Sequence, residues 1–215
     1  MAIGDPADEI IKAAAGGRSD LIVLGSHGLT RANRLLMGST TLSVLQQTTV
    51  PVLAVPHAGE HLVTSPSPSW PGEWIVAALE LDGRTAIDVD VAAHIAKWFG
   101  SSLLLVHVVS EITAPAWLKA DLDAHDGSRV ASAQQQLNVL VKRRDTHGAI
   151  DARVVCGRVA EEIAAVAAAE RSGLLITALR DRRGGFGARR GSISYHVLTH
   201  ANAPVLAYPP HWRPR

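Results

Sequence analysis

Residues Gly4–His57 read GDPADEIIKAAAGGRSDLIVLGSHGLTRANRLLMGSTTLSVLQQTTVPVLAVPH, and residues Gly157–Pro210 read GRVAEEIAAVAAAERSGLLITALRDRRGGFGARRGSISYHVLTHANAPVLAYPP. The two stretches align without a gap at an offset of 153 (157 − 4), and about a third of the positions are identical. The identities include Gly38/Gly191, Ser39/Ser192 and Pro51-Val52-Leu53-Ala54/Pro204-Val205-Leu206-Ala207. A repeat at this spacing means two copies of one domain-sized unit rather than a solenoid. The second copy is preceded by a long segment of the same unit, whereas the first has three residues before it. The expected organisation is a truncated first copy over 1–57, a linker over 58–73 and a complete domain over 74–211.

Within the first copy, Asp5 suits a helix cap, Pro6 the first helical position and Asp8 the first turn. Ile10, Ala13 and Ala14 share a face, and Gly16-Gly17 is expected to end the helix. Leu21–Leu24 is a continuous apolar run, the pattern of a strand covered on both faces. A glycine-punctuated loop, Gly25–Met37, leads to a helix over about Ser39–Gln47. Pro51–Val55 reads as a strand that opens on proline, which favours a sheet edge.

Residues 58–73, rich in Pro, Ser and Gly, have no period. Beyond them come a strand at Trp74–Leu79, a helix marked by Ile87, Val91 and Ile95 and stopped by Gly100, and a strand at Leu103–Val109. A polar-faced helix around Ser128–Arg144 and a strand at Ala152–Val155 lead into the second copy. Strands alternating with helices imply right-handed crossovers and a parallel sheet. The expected class is α/β, with an open doubly wound five-stranded parallel sheet and ligands beyond the carboxyl ends of its strands.

Composition bounds the function. The chain has 215 residues, 47% hydrophobic and 19% charged, and a net charge of +1, too balanced to make nucleic acid or acidic lipid a bulk partner. The lone Cys156 cannot form an internal disulfide, which fits a reducing, cytoplasmic setting. No stretch approaches the length of a membrane span.

Gly25-Ser26-His27-Gly28, nine residues, then Gly38-Ser39-Thr40 lies between a buried strand and a helix. Gly25 and Gly28 permit a tight turn and close approach of a ligand. Gly38 and Ser39 open a helix whose free amides attract anions, and the hydroxyls of Ser39 and Thr40 add donors. No Walker-type lysine is present, so the pattern points to binding rather than catalysis.

This spacing, together with Asp20–Gly28 and Pro51–Val55, resembles the ATP-binding motif of the universal stress protein family. The segment from Trp74 onward resembles the family along its length. The resemblance implies a sheet of the adenine nucleotide alpha hydrolase type, ATP or a related adenine nucleotide as ligand, no strong catalysis, and a homodimer through the last strand, Val205–Tyr208. It assigns Glu80 to the place of an adenine-contacting aspartate and Val108 to a strand residue touching the base. Gly191 and Ser192 would hold phosphate.

The second copy departs from the motif, with Ala178 for Gly25 and Asp181 for Gly28. A carboxylate at Asp181 would repel phosphate, at a cost on the order of 1–4 kcal/mol at intermediate dielectric. Five arginines between Arg180 and Arg190 can be a phosphate clamp, a nucleic-acid contact or a solvated loop. His196 and His200 stand at chelating spacing, although a surface or packing role is the expectation. His107 is expected to be hydrogen-bonded in the core, and Cys156 to be buried and inert. Three readings follow: a nucleotide-responsive regulatory module, a dimerising scaffold of the same fold without nucleotide, and, last, a weak ATP hydrolase.

Overall fold

The structure, a computed structural model, describes residues 3–26, 38–56, 70–111, 119–144, 149–180 and 193–214. Its elements in chain order are α1 (Pro6–Gly16), β1 (Ile22–Gly25), α2 (Ser39–Gln47), β2 (Val52–Val55), β3 (Trp74–Ala78), α3 (Thr85–Phe99), β4 (Ser102–Ser110), α4 (Lys119–Arg144), β5 (Ile150–Gly157), α5 (Val159–Ala169), β6 (Leu175–Ala178), α6 (Ile193–His200) and β7 (Val205–Tyr208). The class is α/β, with mostly parallel strands.

The repeat is reproduced almost to the residue. α1 and α5, β1 and β6, and β2 and β7 begin and end 153 positions apart, and α2 and α6 end 153 positions apart. Local geometry recurs as well. Arg18 and Arg171, at equivalent positions, both have left-handed backbones (φ 50 and 51). The next residues, Ser19 and Ser172, donate their amides to Ala14 and Ala167 at 2.9 Å each. The helix ends at Gly16-Gly17 as expected; Gly17 keeps a right-handed backbone (φ −80), and the left-handed turn falls on Arg18. Gly157 adopts φ +152, and a Cβ there would meet the Glu162 carboxylate at 2.7 Å, so the position requires glycine.

The described chain forms two compact units. One comprises Met1–Trp70 with Leu174–Arg213, and the other Pro71–Gly173. In the second unit β3, β4 and β5 are parallel, in register from Trp74↔Ser102 to Ala78↔Val106 and from Leu103↔Ile150 to Ser110↔Gly157. Its core is the run Ile75–Ala77 and Leu103–Val106, with Val89 and Ile95 of α3 and Leu137 of α4. The outer side of β5 meets α4: the Gln134 side-chain amide donates to the Ala152 carbonyl and accepts from the Val154 amide, both at 2.9 Å. The described end of the 58–73 segment is tied down here. Pro71 is buried, and its carbonyl accepts from the Gly173 amide at 2.8 Å.

In the first unit the order is β1-β2-β7-β6. β1 runs parallel to β2, and β6 parallel to β7. The two halves join through an antiparallel ladder, Val52↔Ala207, Leu53↔Leu206 and Ala54↔Val205. Leu53 and Leu206 are equivalent in the repeat, and so are Val52 with Val205 and Ala54 with Ala207. The ladder is thus two-fold symmetric about Leu53/Leu206, the isologous pairing of a dimer made inside one chain.

This corrects two expectations. β2 is interior despite Pro51, because the proline precedes the strand and contributes only its carbonyl, which accepts from Ile22 at 2.9 Å. β7 is interior too, with β6 on one side and β2 on the other, so Val205–Tyr208 offers no free edge for a homodimer. No described helix is long and apolar enough to cross a membrane.

Leu206 is buried at 9% exposure. The expected result of Leu206→Arg is a loss of stability on the order of 3 kcal/mol or more, read by urea denaturation, rather than a change of oligomeric state.

Candidate functional site

In the first unit the carboxyl end of β1 is stitched to the start of α2. The Gly38 amide donates to the Ser26 carbonyl at 3.0 Å, and the Thr41 hydroxyl donates to the Gly25 carbonyl at 2.8 Å. These bonds bring Gly25, Gly38 and Ser39 together. Gly38 caps α2 without a side-chain hydrogen bond, and the first turn contains no acidic residue. The opening amides of a helix have no partner within it, and here no carboxylate competes for them. Ser39 is exposed and Thr40 half-exposed, while Thr41 is buried. The arrangement is an amide-and-hydroxyl cradle with the polarity an anion needs. Gly28, the remaining loop glycine, lies outside the described residues.

Sequence reasoning singled out Thr40 and missed Thr41. The neighbouring hydroxyl fixes the distance between strand and helix, whereas Thr40 remains available to a ligand. Ser194 stands at the equivalent place of the second copy and is also buried.

In the second unit Glu80 follows β3 and is half-buried. The β3–β4 register ends at Ala78↔Val106, two residues before Glu80, and Val108 lies two residues further along β4. Val108 is only 6% exposed, so its side chain belongs mainly to the core. The backbone at Glu80 is held by Thr85, whose buried hydroxyl shares its one hydrogen between the Glu80 and Asp82 carbonyls, at 2.9 and 2.8 Å, and accepts from the Asp82 amide at 2.8 Å. The Asp82-Gly83 dipeptide is the turn signal that could have found this brace. His107 is hydrogen-bonded as expected, its Nδ1 lying 2.9 Å from the Leu79 carbonyl.

Beyond Glu80 opens a cleft of about 710 Å³ between the turn Leu81–Gly83 with the start of α3 and the α4 face carrying Ser132, Gln135, Gln136 and Val139. Glu80 does not line it. The cleft was not anticipated, because α4 reads in sequence as a solvated polar helix.

Ala178, at 9% exposure, ends β6, and Arg180 is buried, which differs from a wholly solvated arginine loop. Gly191, Ser192, Asp181 and the other arginines of the loop lie outside the described residues. His200 is exposed, with its Nδ1 3.0 Å from the His196 carbonyl. Among the described residues no group of three or more His, Cys, Asp or Glu could hold a metal.

Cys156 is half-buried rather than fully buried. Burial pushes its thiol up, and the carboxylates of Asp126 and Glu111 add to the shift. A raised thiol pKa leaves less thiolate at any given pH. Labelling with a disulfide reagent near pH 7 should therefore run several-fold slower than with free cysteine, and should keep accelerating at pH values where free cysteine has levelled off. A rate equal to that of free cysteine at pH 7 would contradict the assignment.

A model of the universal stress protein family matches residues 1–56 and 75–209. The chain belongs to the universal stress protein family. It is 40% identical over 55 residues to a universal stress protein of Methanocaldococcus jannaschii, a match covering 26% of this chain and 34% of that one. It is 42% identical over 52 residues to one of Thermus aquaticus, covering 24% and 38%. The matches thus span about a third of the length of these relatives. A universal stress protein structure from Archaeoglobus fulgidus superposes with a TM-score of 0.63 at 20% identity, covering 96% of this chain and 67% of that one. A Pseudomonas aeruginosa protein described as functionally unknown gives 0.67 at 18% identity, covering 97% and 69%. At these identities the structural likeness speaks for the fold.

Proposed function

We propose that this chain is a binding and regulatory module of the stress response, with ATP or a related adenine nucleotide as its ligand, rather than an enzyme. The observation that carries the reading is the stitched junction of β1 and α2, where Gly25, Gly38 and Ser39 converge on helix amides that no side chain caps. Its donors are amides and hydroxyls, which bind phosphate without activating a nucleophile. In this reading Glu80 is the acceptor for an adenine amine and Val108 the strand residue that touches the base. Gly191 and Ser192 repeat the phosphate pair in the complete copy. A reducing cytoplasm suits the lone Cys156.

A second reading, a scaffold of the same fold that has lost its nucleotide, draws on Ala178, Asp181 and the buried Val108. Calorimetry with ATP on the full chain separates the two. The double change Ala178→Gly with Asp181→Gly should tighten binding tenfold or more, about 1.4 kcal/mol, and Ser39→Ala should weaken any binding at the first-copy junction. Binding that neither change moves would contradict the assigned residues. No binding to the wild type or to the double variant would favour the scaffold.

A further inference from the structure

The cleft beyond Glu80 stands apart from the residues assigned to a nucleotide, since neither Glu80 nor Val108 lines it. One wall is the turn Leu81–Gly83 with Thr85 and Ala86 of α3. The other is a single stripe of α4, Ser132, Gln135, Gln136, Val139 and Leu140, at helical spacings of three and four. Both walls are fixed from behind. Thr85 holds the turn through the Glu80 and Asp82 carbonyls. On a second stripe of α4, Gln134 is bonded to Ala152 and Val154 of β5, and Leu137 is fully buried. Arg144 ties the walls to each other: its guanidinium spans the Asp90 carboxylate and donates to the Ala86 carbonyl at 3.2 Å. A site held in this way spares a ligand the cost of ordering it.

The lining narrows the occupant. The volume, about 710 Å³, is that of a small-molecule site. Leu81, Ala86, Val139 and Leu140 offer apolar contact, and Val139 is 47% exposed. The polar side is Gln135, Gln136, Ser132 and the Asp82 carboxylate, with no Lys, Arg or His among the described lining residues. A carboxylate without a lining cation disfavours anions, phosphates included. Each glutamine carries a carbonyl and an NH2 group side by side, the complement of another carboxamide. We propose that the cleft binds an uncharged small molecule with a carboxamide, lactam or urea group on an apolar body. The amide group pairs reciprocally with the glutamine side chains, and the body rests on Leu81, Val139 and Leu140. Binding here does not depend on the nucleotide reading, because the two share no residue.

Benzamide, an apolar ring bearing a primary carboxamide, is the probe. It is titrated into the nitrogen-15-labelled full chain without nucleotide and followed by NMR. The side-chain amide signals of Gln135 and Gln136 and the Gly83 backbone amide should shift and saturate, with a dissociation constant of about 5 mM or below. Benzoate, which is anionic, and N,N-dimethylbenzamide, which lacks the donors, should each bind at least about fivefold more weakly. Val139→Arg, which fills the cleft from an exposed position, should weaken benzamide at least about tenfold. Gln135→Leu with Gln136→Leu, which removes both amides, carries the test should Val139→Arg perturb the circular dichroism. No saturable shift at either glutamine up to about 20 mM, benzoate binding as tightly as benzamide, or binding indifferent to these variants would each overturn the proposal.

Discussion

Everything in the first unit depends on the antiparallel ladder between β2 and β7. A two-strand, two-helix segment such as 4–57 is below the size at which a lone core becomes reliable. Here its apolar face does not stand alone. Val52 and Ala207 are fully buried across from each other, with Val44 and Leu45 of α2 and Val197 and Leu198 of α6 in the same unit's core. The symmetry has a direct physical origin. Two copies of one sequence present the same edge, and an antiparallel ladder is the pairing that lets identical edges satisfy each other's donors and acceptors. Linking both copies in one chain makes the contact intramolecular, so it forms at an effective concentration that a separate subunit does not supply.

Much of this was legible in the amino-acid sequence because the signals are local. Apolar runs gave β3, β4 and the place of β1, although Leu21 and Val23 are exposed where the run was expected to be covered on both faces, and the offset of 153 gave equivalent elements whose bounds agree almost to the residue. What was not legible is non-local. Pro51 reads as an edge residue until its position one residue before the strand is known, and Val205–Tyr208 reads as outermost until β2 is found on it. Propensity tables also miss the left-handed Arg18 and Arg171, where tertiary context holds a bulky residue in a conformation that glycine would adopt more cheaply.

The site was legible to the same degree. Glycines and hydroxyls around Gly25 and Gly38 stood out because their chemistry is specific and their spacing short. Thr41 and Thr85 did not, since a hydroxyl that braces a backbone looks in sequence like any other threonine. The cleft beside α4 was invisible for a related reason: Gln135, Gln136 and Ser132 have the composition of any solvated face, and only the turn at Asp82-Gly83 makes that face concave. A single repeated motif thus ends in unequal surroundings. The first copy has the glycines and the stitched junction, whereas the second has Ala178 and Asp181 in place of Gly25 and Gly28.

The central claim, that the last strands of the two copies pair within one chain, can be read covalently. Residues paired in an antiparallel ladder have Cα atoms about 4.5–5.5 Å apart, within disulfide reach. With Cys156→Ser in place, Leu53→Cys and Leu206→Cys should be introduced together and the dilute protein oxidised. The account predicts loss of both thiols with the mass of a single chain retained. Disulfide-linked dimers, or two thiols that stay reactive in the folded protein, would contradict it.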